Sequence, residues 1–390
     1  MRKSLIALLV LVVFVVIPPM ADAHEKTEKK TPKGGQSRTQ SFSVNKGDSL
    51  QVSVESGDIW ISAWDKNEVS VSAEGIDPED VDSLSMTQSG NVVRVHFEDS
   101  HGWSGYVRFD IQVPSQFDMN LRTSGGDIRL QGGLTGNING ATSGGDIRLG
   151  DVNGRLEMRT SGGDITAGRV EGDAILHTSG GDIEVQSISS QVDLSTSGGD
   201  INVGNVGKSL KASTAGGNIT VGDVGGEATV STAGGDIQMG KVSGSATMKT
   251  AGGDIILSAA TGVVMAKTAG GDLNLKNVTG SVQGETAGGD VHAEIRPSGK
   301  GSSRLSTAGG DVTLMIPENA KATIEARIRI RGNWKSSKED YSIMSDFKSS
   351  KYETDEDTHE IRGSYVLNGG GEVINLDTVN GDIYIRKLMQ

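Results

Sequence analysis

Apolar and polar positions along the middle of this chain recur every 18 residues. In the unit 232–249 the apolar side chains are Ile237, Met239, Val242, Ala246 and Met248. Ile237 to Met239 and Ala246 to Met248 alternate with period 2, so each unit predicts two short strands with turns between them. Ahead of the first strand stands the phrase Thr-Ser/Ala-Gly-Gly-Asp/Asn-Ile/Leu/Val, which occurs eleven times between Thr123 and Ile316. Its acidic position falls at Asp127, Asp146, Asp164, Asp182, Asp200, Asn218, Asp236, Asp254, Asp272, Asp290 and Asp311. The spacings are 19, then eight of 18, then 21. Paired glycines at this frequency exclude a helix, and they predict corners at positive φ, which glycine adopts without steric cost.

A unit this short cannot bury its own apolar face, so a core forms only when successive units stack like on like. A left-handed helix of hexapeptides would need an apolar residue every six places. Stepping back six from Val242, however, reaches Asp236. The expected fold is therefore all-β: a flattened parallel β-helix (β-solenoid) of about 18 residues per coil. Right-handedness is the default because parallel crossovers overwhelmingly take that hand.

An open solenoid end exposes unpaired strand edges and needs atypical N- and C-terminal caps. Residues 41–118 are more varied and rich in strand patterns, and they hold Trp60, Trp64, Phe97, Trp103, Tyr106, Phe109 and Phe117. No aromatic residue lies between Met119 and Pro317. The regular array is assigned to 119–316. Residues 317–390 form the C-terminal cap, in which 322–330 alternates as a strand and 336–358 reads as a charged looped insertion. Leu376 to Ile385 returns to the Gly-Asp-Ile phrase and reads as a last coil closing the rod.

The N-terminus changes the picture of where the protein works. Arg2 and Lys3 precede an apolar run from Leu5 to Ile17 and a small-residue site at Ala21-Asp22-Ala23, so residues 1–23 read as an export signal. Residues 24–40 carry no apolar side chain and read as a disordered tether. No later stretch is apolar enough to predict a membrane span. The chain has no cysteine, which removes disulfides, thiolate metal sites and cysteine catalysis. Its net charge is −13, and Arg2, Lys3 and Asp22 together carry +1, so the chain after residue 23 stands near −14. That sign argues against nucleic acid.

These residues resemble the bacterial putative-adhesin family of β-strand repeats, also called toast-rack domains. The resemblance rests on Gly-Asp-Ile-Trp-Ile at 57–61, on Gln112-Val113-Pro114 ending a strand, and on the Thr-Ser/Ala-Gly-Gly-Asp array. It also rests on the passage from Asn-Gly-Gly-Gly at 368–371 to Asn-Gly-Asp-Ile at 380–383, and it spans roughly residues 41–390. It implies attachment or surface display, with accessory roles in envelope-stress signalling for some relatives, although a fold does not by itself fix a function. No catalytic or metal residues are established for the family, so none carry over.

The Asp row is the first candidate for chemistry. Carboxylates about 4.8 Å apart repel by nearly 1 kcal/mol per neighbour even at water's dielectric. Calcium between coils would offset this, as would hydrogen bonds from the backbone amides of each corner. Asn218 keeps the acceptor oxygen but not the charge, which favours a structural corner ladder and no cofactor. The recurring Thr shares parity with the apolar positions and is expected to point inward and bond coil to coil. A polysaccharide-active or glycan-binding β-helix grafts its catalytic groups onto irregular loops, and sugar rings usually stack on aromatic platforms. The only aromatics offered for ligand contact are Trp60, Trp64, Trp103 and Trp334, at the ends. The histidines are scattered, giving no nucleophile and base pair. The sequence thus predicts a non-catalytic exported protein, periplasmic or extracellular, whose partner is a protein or glycan of the cell envelope.

Overall fold

In the computed structural model, which describes residues 35–100, 106–299, 301–332 and 340–388, each 18-residue unit makes one winding of a flattened solenoid. One strand of each winding joins a first long sheet and the other joins a second sheet facing it. In the unit above these are Ile237–Val242 and Ala246–Lys249. Pairing between windings is parallel, and it is in register along the array apart from a shift between Leu275 and Val278. Ile219, Ile237 and Ile255 are successive partners in the first sheet, and Ala228, Ala246 and Val264 in the second. The inward side chains are buried: Ile237, Met239, Val242, Ala246 and Met248 are all at most 1% exposed.

Where an inward position is glycine, neighbouring side chains take up the space: a Cβ on Gly284 would stand 3.2 Å from Leu305 Cδ2, 3.5 Å from Leu273 Cδ1 and 3.6 Å from Leu275 Cδ1.

The paired glycines are required for a reason other than the expected one. None of them has φ in the left-handed region. What they permit is close approach of stacked backbone. A Cβ on Gly235 would lie 2.2 Å from the carbonyl oxygen of Gly217 in the preceding winding, and one on Gly253 would lie 2.1 Å from that of Gly235. The first glycine of the pair is less constrained, with Gly234 Cβ placed 3.1 Å from Gly216 O.

The ends are closed by interposition. The first winding in sequence, Ser49–Val54 and Asp58–Trp64, does not lie at the end of the stack. It lies between Val92–Phe97 with Arg108–Pro114 on one side and Asp118–Thr123 with Ile128–Gln131 on the other. The last winding, Glu372–Val379 and Ile383–Lys387, is likewise inserted between Ser302–Ser306 with Val312–Ile316 and Ala322–Arg329 with Ile343–Ser345. It is therefore covered rather than closing the rod, because the strand Ala322–Arg329 packs over its outer edge. Antiparallel strands finish each sheet: Glu68–Ile76 and Gln36–Ser43 beyond Arg108–Pro114, and Glu360–Leu367 and Lys351–Asp355 beyond Ala322–Arg329.

Two boundaries differ from the sequence reading. Gln36–Ser43 is a strand, so residues 36–40 do not belong to a tether; as an edge strand it needs few apolar residues, and only Phe42 reaches the core. The supposed insertion 336–358 contains the strands Ile343–Ser345 and Lys351–Asp355. Residues 333–339, and residues 1–34 with the expected export signal and the first part of the expected tether, lie outside the described residues. Among the described residues no helix is long and apolar enough to cross a membrane.

The close approach predicts an asymmetry between adjacent glycines. Gly235→Ala should lower stability by about 1–3 kcal/mol through overpacking against fixed backbone, and Gly234→Ala by less than about 1 kcal/mol. Denaturant or thermal unfolding of the two full-length variants measures this, and equal losses would contradict the packing described.

Candidate functional site

The corner row places each carboxylate against the next winding rather than in its own corner. Asp236 Oδ1 accepts a hydrogen bond from the backbone N–H of Asp254 at 2.8 Å, and Asp254 Oδ1 from that of Asp272 at 2.7 Å. The carbonyl of Asp254 in turn accepts from Ile237 N–H at 2.9 Å. The side chain thus does at the corner what a backbone carbonyl does within the sheet, and leaves no amide there unpaired. The same bond recurs along the array at 2.7–2.9 Å.

The row extends beyond the eleven repeats, at both ends. Asp127 N–H donates to Asp58 Oδ1 at 2.8 Å, Asp382 N–H to Asp311 Oδ1 at 2.7 Å, and Ser342 N–H to Asp382 Oδ1 at 2.7 Å. Asp58 and Asp382 were absent from the sequence-derived ladder. Their signal was the Gly-Asp-Ile phrase at 57–59 and 381–383, whose place in the stack depends on the interposed windings.

The threonines complete the corner from inside. Thr250 is 9% exposed; its hydroxyl donates to Gly235 O of the preceding winding at 2.8 Å and accepts from Gly253 N–H at 3.3 Å. Thr378 does the same for the last winding, donating to Gly310 O at 2.7 Å. The hydroxyls therefore bond winding to winding through backbone carbonyls and not to one another.

Electrostatics along the row are uneven. Asp127 and Asp146 are paired with Arg129 and Arg148 at 3.1 and 2.7 Å. From Asp164 to Asp311 none of the carboxylates has an ion pair among the described residues. A charge-assisted hydrogen bond contributes about 1.5–3 kcal/mol, against a repulsion of nearly 1 kcal/mol per neighbour. One amide per rung is enough to hold the row. Asn218 shows that charge is dispensable at a rung: it accepts from Asp236 N–H at 2.8 Å as its neighbours do. Among the described residues no three His, Asp or Glu side chains are grouped to hold a metal ion.

The end aromatics are engaged. The Trp60 ring lies between the guanidinium groups of Arg108 and Arg129, each 4.8 Å from its centroid. Arg108 is held by Asp110 and Glu74, and Arg129 by Asp127. Both faces of this indole are covered, so a sugar ring has nowhere to stack. Trp64 donates from Nε1 to Glu68 O at 2.7 Å, with Lys66 Nζ 4.4 Å from its ring centroid. Trp103 and Trp334 lie outside the described residues. Beside Trp60, the Tyr106 hydroxyl donates to Asp58, and burial together with that bond pushes its pKa up to about 12.

Among the described residues the histidines do not converge. His96 meets Glu98 at 3.1 Å, while His177 has Arg159 at 3.0 Å from Nδ1. Burial first, then the Arg159 charge, lowers the His177 pKa; burial lowers that of His292. Each lies on a different winding.

A family model described as Toastrack DUF4097 matches the chain twice, over residues 47–225 and 207–386. Among solved structures, similarity is found to a "putative adhesin" from Bacteroides fragilis, with 16% identity over 63% of this chain and 96% of that one and a TM-score of 0.32. A "putative cell adhesion protein" from Clostridium sporogenes is similar at 7% identity, over 91% of this chain and 100% of that one, with a TM-score of 0.18. A "putative lipid binding protein" from Parabacteroides distasonis is similar at 14% identity, over 66% and 96%, with a TM-score of 0.24. No curated protein matches.

The ladder geometry separates charge from hydrogen bonding. Asp236→Asn should change stability by less than about 0.5 kcal/mol, whereas Asp236→Ala, which strands the Asp254 amide, should cost about 1–3 kcal/mol. Melting midpoints in calcium and in chelator should coincide; a calcium-dependent rise would make the row a metal site instead.

Proposed function

The chain belongs to the Toastrack DUF4097 family, and from that premise we propose that it is an exported, non-catalytic protein acting in attachment or scaffolding at the cell envelope. The observation that carries this reading is the regular register of the array. From Ile147 to Leu275 each residue of the first sheet is paired with the next winding at an offset of 18 residues, and the turns remain too short to build a catalytic cleft. Polysaccharide chemistry on a parallel β-helix needs carboxylates or bases raised on irregular loops. Here the carboxylates of the row are already committed to backbone amides.

What the array offers instead is repetition. On the outer face of the second sheet Ser195, Ser213 and Ser231 are consecutive partners, and beside them Thr229 and Thr247. Identical polar groups about 4.8 Å apart suit many weak contacts to an extended partner, where avidity replaces a deep pocket. A protein or glycan of the envelope is the partner class this favours.

Incubation of the exported chain with envelope fractions and purified envelope polysaccharides tests the reading. Retention without chemical change to the bound material is expected. Release of new reducing ends or soluble fragments would replace it with an enzymatic function.

A further inference from the structure

The array has one interruption near its C-terminal end, and a groove lies beside it. The step from Asp290 to Asp311 is 21 residues instead of 18. The added residues form a turn at 296–299 after the strand Val291–Ile295. Opposite stands the turn 317–321, with Lys387 and Leu388 beside it, and together these segments border an open groove of about 1110 Å³. Among the described residues no aromatic side chain lines it.

Its charge runs against that of the protein. Arg296, Lys321, Lys387 and Glu318 line the groove, a surplus of +2 on a chain of net −13. Lys387 is neutralised by Glu318 at 2.6 Å. Arg296 and Lys321 are exposed and have no ion pair among the described residues. Two cations lining a concave site together with Ser298, Asn319 and Asn368 are suited to an anion carried on a polyhydroxylated chain.

The walls are built before any ligand arrives. The Asn368 amide donates to Glu318 O at 2.9 Å and to Ala320 O at 2.8 Å, clamping the far turn. Ala320 N–H closes that turn on Pro317 O at 3.0 Å, and Leu388 N–H donates to Ile316 O at 2.9 Å. On the near side Arg296 N–H donates to Val278 O at 2.8 Å, and Pro297 stiffens the exit. The backbone walls need no further ordering, so the ordering cost of binding falls on the Arg296 and Lys321 side chains.

We propose that this groove binds the carboxylates of an acidic polysaccharide, Arg296 and Lys321 being the specificity-determining contacts. The inference deepens the attachment reading and rests on it for its biological meaning, while the site stands on its own geometry. Because the cations have no internal partner, both can be replaced without removing a structural bond, and Lys387 is left in place.

Calorimetric titration of the full chain with oligogalacturonate, with its methyl ester and with inorganic phosphate is the test. The acid oligosaccharide should bind, weakening as salt rises, and the neutral ester should bind at least about tenfold less tightly. Arg296→Gln with Lys321→Gln should lose about tenfold or more in affinity with an unchanged melting midpoint, while Lys211→Gln, on the outer face of the array, should bind as the parent. Equal binding by the double variant, no binding by the parent, or phosphate binding that matches the oligosaccharide would overturn the proposal. Retention on envelope fractions by a parent that ignores the oligosaccharide would sink this site alone and leave the attachment reading standing.

Discussion

The contact on which the whole rod depends is the one between a corner and the corner beneath it. There, two backbones come so close that no Cβ can be accommodated, as at Gly235 over Gly217. The Asp carboxylate and the Thr hydroxyl bond across that approach, one to an amide and the other to a carbonyl. Each part needs the others. Without the glycine the windings could not reach hydrogen-bonding distance, and without Asp and Thr the corner would leave backbone groups without a protein partner. Strands and corner are where the repeat is strict, since a slip within a strand would turn its apolar face outward, whereas the turns absorb added residues: the steps of 19 and 21 residues keep the corner bond at 2.9 and 2.8 Å.

A stack held this way has no natural end, since the last winding exposes the same unpaired edge that recruits a neighbour. The chain solves this identically at both termini. The winding that comes first in sequence, and the one that comes last, are slipped inside the stack, and the outer cover is made by neighbouring segments that finish in antiparallel strands. The corner motif therefore continues through Asp58 and Asp382 while the outermost strands belong to a different kind of sequence. Trp60, which occupies an outward position on the first of these inner windings, is clamped between two arginines and serves the cap rather than a ligand.

Regularity and chemistry exclude each other along this molecule. Where windings repeat without change, side chains that could react are either bonded into the corner or dispersed on flat polar faces, and binding there has to rely on number. Where the repeat is broken, by three residues between Asp290 and Asp311, a concavity opens, and cations without internal partners gather at it. An attachment protein of this design would separate its rod, which sets reach and orientation, from a site at one end.

The amino-acid sequence alone determined the winding. The period of 18, the alternation at Ile237, Met239, Ala246 and Met248, and the inward parity of the threonines each follow from local rules that need no knowledge of neighbours, because stacking identical units makes every neighbour a copy. Tertiary structure alone decided the rest. That the glycines serve close approach rather than positive φ, that Asp236 bonds the next winding's amide and not its own, and that residues 49–64 and 372–387 lie inside the stack all depend on which segment lies above which. The same holds for the groove, since Arg296, Lys321 and Lys387 are far apart in sequence and meet only because the final winding enters beside Val312–Ile316. Local pattern fixes which way a side chain points, but the order in which windings are laid down is a property of the whole chain.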